Sequence, residues 1–349
     1  MELKRNYNLD LLKIVSIFFV VILHYNNPSM GGLLAGAQPG TTNFFIAYFT
    51  EIITIVACNL FVLISGYFLC KNNEIKIRKI VDIIILLVFY GVVIYIISIF
   101  RGLTVFNSET LKSMFLTIDD RWFINVYLLL YILHPYINKI ISNINKKQHI
   151  MLILICVFFF SLWSSILEPQ GILNLNSFVS DNGYGITNFV MLYFIGAYIR
   201  LYHDNKKINK LFLLAIYICL TSLGTVIFYK YPNAIGYNFI INIINSVIVF
   251  LFFKNLSLSK GKIISKFAEC TLAIYIIHEN SFIRVYIYRN IFASSSFYSS
   301  PSLLFNMMYT CLGILLICVI IELVRKLVFK LTVNKLIDKS SSLNKVISI

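Results

Sequence analysis

The sequence predicts an all-α, polytopic membrane helical bundle with about ten transmembrane helices and both termini in the cytoplasm, and three observations predict it. Of 349 residues, 59% are hydrophobic and 13% charged, an apolar share well above that of an average soluble domain. The apolar residues gather into about ten stretches of roughly 20, long enough to cross a ~30 Å hydrocarbon core as helices. The basic residues concentrate in alternate connections between those stretches.

The first stretch, 9–27, follows Lys4 and Arg5 and contains Lys13 and His24. A basic start, an apolar run and Ala35-Gly36-Ala37 together resemble a secretion signal. Lys13 interrupts the run, however, and further spans follow, so the segment reads as a retained helix. The second, 44–70, contains Asn59-Leu-Phe-Val-Leu-Ile-Ser-Gly-Tyr67, whose Ser65-Gly66 permits close helix approach. A connection rich in Lys and Arg, Lys71–Lys79, leads to the third at 80–100. The fourth, 122–141, opens on Trp122 and holds Tyr127, Tyr131 and Pro135, the last expected to kink it. Four more follow at 150–167, 186–203, 210–229 and 236–254. The ninth, 266–288, contains Tyr275-Ile-Ile-His-Glu-Asn280, and the tenth, 302–328, leads into a short basic tail. Pro28, Pro39, Pro169, Pro232 and Pro301 all fall in outer connections, where a missing backbone donor costs no helix bond. No internal repeat is evident, and the spans leave no room for a sizeable soluble domain.

The net charge of +15 is topological. With the N-terminus inside, 24 of the 30 Lys and Arg residues lie on the cytoplasmic side; only Arg101, Lys112, Arg121, Lys230, Arg284 and Arg289 lie outside. This is the positive-inside pattern, and it argues against nucleic acid as a partner. The seven cysteines lie in or beside apolar runs with no pair spaced as a metal knuckle or redox motif. They read as packing residues, and no metal site is expected.

Lys13 and His24 are the most informative residues. Eleven positions amount to about three turns plus ~20°, so both side chains share one helix face, about 16 Å apart along the axis. Ionisable groups inside a spanning segment usually face the bundle interior or a wet cavity. Asp10, one turn before Lys13, can pair with it; a lysine snorkelling at the headgroups is the plainer alternative. His24 and His278 are the two histidines deep in apolar runs, and a neutral imidazole can accept a hydroxyl proton; the other reading is a hydrogen-bonded packing residue. His134 reads as a helix-end residue, and His149 and His203 fall in cytoplasmic connections. Lys76, Arg78 and Lys79 can clamp phosphates with charge-assisted bonds, although topology alone also calls for basic residues there. Trp122, Tyr127 and Tyr131 fit either an interfacial aromatic belt or a stacking platform for a sugar. Adjacent Asp119 and Asp120 do not share a helix face and do not support paired-carboxylate hydrolysis.

Several of these segments together resemble a known family. Arg5-Asn-Tyr-Asn-Leu-Asp-Leu-Leu-Lys13, followed by ten residues and His24, is similar to the basic-X10-His signature of the acyltransferase-3 family of integral-membrane O-acyltransferases. Asn59–Tyr67 resembles its second-span block. Trp122-Phe123 with Tyr127, Tyr131 and Pro135 resembles its fourth, and Thr271-Leu-Ala-Ile-Tyr-Ile-Ile-His278 its late Tyr-X2-His block. Where the family has an Arg-X3-Arg pair, this chain has Arg78 flanked by Lys76 and Lys79.

The resemblance implies one membrane-embedded acyltransferase domain over residues 1–330, with a short basic cytoplasmic tail at 331–349. It implies a multi-pass protein of a bacterial plasma or inner membrane, surrounded by lipid. The expected reaction is transfer of an acyl group, commonly acetyl from cytosolic acetyl-CoA as co-substrate, with no tightly bound cofactor. The acceptor would be a hydroxyl of a surface polysaccharide or its lipid-linked precursor. His24 would be general base or acyl carrier, with Lys13 and Asp10 beside it; Lys76, Arg78 and Lys79 would bind the donor. Trp122, Tyr127, Tyr131, Tyr275 and His278 would bind or orient the acceptor. The chain lacks the hydrolase-like domain that some members append, so transfer is completed within the bundle or by a separate partner. A glycan transporter or flippase using the same polar cavity is the rival reading, and a structural subunit the third.

Overall fold

The computed structural model describes residues 5–116, 121–167, 181–203, 208–231, 235–259, 261–332 and 345–348. Lys4, Asp119, Asp120, Pro169, Lys206, Lys207, Pro232 and Lys260 lie outside the described residues, as does most of the expected basic tail.

α1 (Tyr7–Asn26) opens on Asn6, whose side chain accepts from the N–H groups of Asn8 and Leu9 at 3.1 and 3.3 Å. That cap satisfies donors the first turn leaves free. After the single turn α2 (Leu33–Gly36), α3 (Thr42–Thr54) and α4 (Ala57–Leu69) join through a turn at 55–56. β1 (Glu74–Lys76) leads into α5 (Ile77–Phe100), followed by α6 (Ser108–Leu116) and α7 (Trp122–Ser142). α8 (Lys146–Val157) begins on an Asn145/Gln148 capping box and runs on as a π-helical segment, Phe158–Leu167. α9 (Ile186–Tyr202), α10 (Lys210–Lys230) and α11 (Ile240–Lys254) come next, then α12 (Lys262–Ala268) and α13 (Thr271–His278). A π turn at Tyr286–Ile291 precedes α14 (Leu303–Leu331), and β2 (Val346–Ser348) closes the described chain.

Seven helical runs among the described residues are long and apolar enough to cross a membrane: α1, α3 with α4, α5, α7, α8 with the start of its π extension, α10 and α14. α9 and α11 are apolar but have 17 and 15 residues, about 26 and 22 Å of helix against a ~30 Å core. The ninth expected span is not one helix. It breaks at Glu269-Cys270, between α12 and α13, and α13 stops at His278 after eight residues. Apolar composition continues across the break, which is why the sequence reads as a single span.

α1 runs through the middle, touching α3, α4, α11, α12, α13 and α14. α4 and α9 cross at their glycines. A Cβ on Gly66 would stand 2.4 Å from the Tyr193 carbonyl oxygen, and one on Gly196 2.4 Å from that of Leu63, so the two backbones touch where only glycine fits. Pro135 sits inside α7 and supplies no N–H to the Tyr131 carbonyl. His134 Nδ1 donates to that oxygen instead, at 2.5 Å. His149 is likewise a packing residue: it is fully buried within α8, with Nε2 3.1 Å from the Phe194 carbonyl.

The described ends of the chain meet at one end of the bundle. β2 pairs antiparallel with β1, Ile75 opposite Ile347. Arg5 Nη1 reaches Glu269 Oε1 at 2.8 Å, and Lys326 Nζ lies 3.8 Å from Glu269 Oε2. The start of α1, the α12–α13 break, the last turns of α14 and the basic segment around β1 therefore form one polar face.

Candidate active site

α1 and α13 bring the two deep histidines into contact across 254 residues of sequence. His24 Nδ1 and His278 Nε2 are 2.9 Å apart. His278 Nδ1 lies 2.5 Å from the carbonyl oxygen of Ile274, one turn back on α13. His24 Nε2 lies 3.0 Å from Oε2 of Glu279, the C-cap residue of α13.

The order of these contacts sets the tautomers. A carbonyl oxygen only accepts, so His278 Nδ1 must carry its proton, and a neutral imidazole carries only one. His278 Nε2 is then the acceptor, and His24 Nδ1–H donates to it. His24 Nε2 faces Glu279 Oε2 at 3.0 Å, and because two bare acceptors repel at that distance, the two share a proton, carried on the imidazole or on the carboxyl. His278 is fully buried, and the His24 ring is 13% exposed, so water competes little for these bonds. An imidazole held by a fixed acceptor on Nδ1 and paired with a carboxylate on Nε2 is equipped to pass a proton to and from that carboxylate, with His24 and Glu279 acting as one acid–base pair.

At the polar end, Asp10 is buried and saturated. It accepts from Arg5 Nε at 2.8 Å, Ser265 Oγ at 2.7 Å and Lys13 Nζ at 3.1 Å. It ties the first turn of α1 to α12 and holds Lys13, which points into a cavity.

That cavity, of about 740 Å³, opens among α1, α4, α5, α7, α13 and α14. On α1 its wall is Lys13, Ile17 and Val20; the next residue on that face is His24. On α13 its wall is Thr271, Leu272 and Tyr275, and His278 follows one turn on. The cavity therefore climbs two helices toward the histidine pair. Its polar end gathers the cations Lys13, Arg78, Lys79, Arg325, Lys326 and Lys330 with the carboxylates Asp82, Glu269 and Glu322, an excess of three positive charges, and its upper walls include Cys58, Phe61 and Phe123.

The other sequence-selected residues fall as follows. Arg78 and Lys79 line the cavity, with Arg78 Nε on Asp82 at 2.8 Å. Lys76 lies outside the wall, in β1, its backbone N–H donating to the Tyr131 hydroxyl at 3.0 Å. Lys79 Nζ donates to the Tyr127 hydroxyl at 2.8 Å and stands 4.1 Å from the Tyr131 ring centroid. Tyr127 and Tyr131 thus belong to the basic end. Trp122 is elsewhere, packed 4.5 Å from Tyr184 and 5.5 Å from Tyr237 between ring centroids.

Sequence reasoning missed Glu279, and it counted Arg325, Lys326 and Lys330 as topological charge. Glu322, which it also missed, is buried and accepts both Arg325 Nε and Nη2 at 2.7 Å, plus the Tyr90 hydroxyl at 2.7 Å. The bidentate pair fixes the guanidinium plane at the cavity wall. A carboxylate inside the apolar run 302–328 was the available signal.

Compared with known proteins, the chain matches the acyltransferase-3 family model, described as an acyltransferase domain, over residues 6–323. No curated protein and no solved structure matches it.

Proposed function

This chain belongs to the acyltransferase-3 family of membrane acyltransferases, and from that premise we propose that it transfers acetyl from cytosolic acetyl-CoA to a hydroxyl of a surface polysaccharide or its lipid-linked precursor. The observation that carries this reading is the cavity: a mouth where six cations outnumber three carboxylates, apolar walls, and a path along α1 and α13 to the His24–His278 pair. We read the cationic end as cytoplasmic from the distribution of Lys and Arg.

In this mechanism the phosphates of the donor lie among Arg78, Lys79, Arg325, Lys326 and Lys330, and Lys13 guides the chain inward. Tyr127 and Tyr131 shape this mouth through Lys79. The thioester reaches the cavity apex beside Tyr275, whose hydroxyl is our choice of donor to the carbonyl oxygen as it gains negative charge. The acceptor hydroxyl enters at the contact between His24 Nε2 and Glu279 and gives its proton to that pair as its oxygen attacks the thioester carbon. The C–S bond breaks, and the His24–Glu279 pair returns the proton to the departing thiolate. His278 touches neither substrate; by accepting from Nδ1 it holds His24 in the orientation that presents Nε2 to Glu279.

The test is transfer of radiolabelled acetyl from acetyl-CoA to the native glycan fraction in membranes carrying this chain or its His24→Ala form. Label that depends on His24 supports the assignment. Equal label with both forms removes His24 from the chemistry, and no label with folded wild-type protein removes the reaction.

A further inference from the structure

The stretch of chain that gives His24 its two side-chain partners does not leave α1 after Glu279. Residues 281–298 turn back as a hook on the end of α1 that lies away from the cationic mouth. Tyr288, fully buried, donates its hydroxyl to the Val21 carbonyl at 3.1 Å, about one turn before His24. Beyond His24, the Gly31 N–H donates to the His24 carbonyl at 2.9 Å. The Gly31 carbonyl in turn accepts from Ser294 Oγ at 3.0 Å and from the Tyr298 hydroxyl. Arg289 Nε donates to the Met30 carbonyl at 2.7 Å, and its Nη2 to that of Pro28 at 2.6 Å.

The last carbonyls of a helix have no partner within it. α1 ends at Asn26, so the turn that carries His24 is the one most in need of outside support. The hook supplies it through Gly31. The Arg289 guanidinium serves two carbonyls from one rigid plane, so residues 28–30 cannot slide past it without losing a charge-assisted bond. Tyr298 fits this turn because Gly32 and Gly36 carry no Cβ; one on either would collide with its side chain. The hook is itself held in an unusual shape. Tyr286–Ile291 is a π turn, and Ala293 has φ 50°, in the left-handed region that non-glycine residues seldom adopt. Both departures persist only where surrounding contacts enforce them, and both concentrate at functional sites.

We infer that the hook is a positioning device for acyl transfer: Tyr288, Arg289, Ser294 and Tyr298 fix the backbone on either side of His24 so that its Nε2 meets Glu279. His278 and Glu279 begin the same stretch of chain, so one continuous segment, 278–298, holds both sides of the proton-transferring contact. The inference rests on the acyl-transfer reading, in which the His24–Glu279 pair moves the proton. A misplacement of about 1 Å in such a contact costs about 10²-fold in rate, and loosening one clamp of several costs part of that.

The test assays Arg289→Gln and Tyr288→Phe for acetyl transfer to the native glycan fraction in membranes, with kcat and the KM for acetyl-CoA measured separately and folded protein quantified. Arg289→Gln should lower kcat at least fivefold with KM within twofold. Arg289→Lys, which can still donate to one of the two carbonyls, should recover part of the loss. On a Glu279→Ala background the contact being positioned is gone, and Arg289→Gln should then change kcat less than twofold. Wild-type kcat in both folded variants overturns the inference. So does an equal loss with and without Glu279, which would mark a general structural role, or a loss confined to KM. Tyr288→Phe keeps the buried ring and removes only the hydroxyl, so its kcat, expected to fall with KM unchanged, decides the outcome if Arg289→Gln does not fold. An active wild type with indifferent variants leaves the acyl-transfer reading standing, whereas folded wild type that transfers no label overturns both.

Discussion

Replacing His278 by phenylalanine should slow acyl transfer without weakening donor binding, because His278 acts through the tautomer of His24. The substitution keeps a flat ring in a fully buried position but removes the acceptor 2.9 Å from His24 Nδ1. His24 then keeps a buried N–H with nothing to receive it, or moves its proton to Nε2 and ceases to be a base toward the acceptor. Leaving a buried donor unsatisfied costs about 1–3 kcal/mol, which corresponds to roughly 5- to 150-fold in rate. Where a carboxylate fixes the tautomer of a catalytic imidazole, its loss reaches about 10⁴; a neutral imidazole acceptor should fall well short of that. The assay is acetyl transfer in membranes, with kcat and the KM for acetyl-CoA measured separately and folded protein quantified by size exclusion in detergent. The expectation is a fall of about 5- to 150-fold in kcat with KM within twofold. His278→Gln, whose amide oxygen can occupy the Nε2 position, should recover part of the loss. Wild-type kcat in folded His278→Phe, or a Gln variant as slow as Phe, would refute the tautomer argument.

Glu279→Gln keeps the shape beside His24 Nε2 but removes the charge that stabilises the imidazolium; kcat should drop by about 10²-fold or more, read in the same assay. Arg325→Ala strips the bidentate partner from Glu322, whose side chain is 2% exposed. Breaking a buried pair costs about 3–5 kcal/mol, and because Tyr90 and Lys326 still flank Glu322, the lower end is expected, seen as a fall in Tm of the detergent-purified protein. Lys330→Gln, at an exposed position on the same wall, should leave Tm unchanged and raise the KM for acetyl-CoA roughly two- to fivefold, less at high salt. Gly66→Ala forces a methyl group into the Tyr193 carbonyl, 2.4 Å away, and should destabilise by about 1–3 kcal/mol as overpacking does, again read as Tm.

What could be read from the sequence divides along a physical line. Polar residues interrupting apolar runs stand out by contrast, so Lys13, His24 and His278 can be selected without coordinates, and the i, i+3 spacing of Asp10 and Lys13 anticipates their 3.1 Å contact. What spacing cannot supply is the join between distant elements. Nothing local says that His24 meets His278, that Ser265 closes on Asp10, or that Arg325 and Lys326 share a cavity wall with Arg78 and Lys79. Aromatic side chains suit both interfaces of a bilayer, so Tyr127 and Tyr131 carry no depth information; the contacts of Lys79 supply it.

The backbone itself marks where function is concentrated. Within an apolar stretch, every unpaired carbonyl or N–H is costly, and departures from regular helix persist only where protein or a wet cavity surrounds them. Two such departures adjoin the site: the turn at 55–56 between α3 and α4, and the interruption at Glu269-Cys270 followed eight residues later by the end of α13. The first immediately precedes Cys58 and Phe61, the residues of α4 on the cavity wall. The second does more. Glu269 faces Arg5 and Lys326 at the cationic mouth, while His278 and Glu279 face His24 at the apex. Consecutive residues on a continuing helix diverge by about 100°, yet His278 and Glu279 reach the two nitrogens of one imidazole. They do so at the terminus of a short helix, where Glu279 is a cap and no longer part of the regular turn. A single unbroken span over 266–288 would have offered His24 one partner; ending the helix there gives it both an acceptor for Nδ1–H and a carboxylate for Nε2.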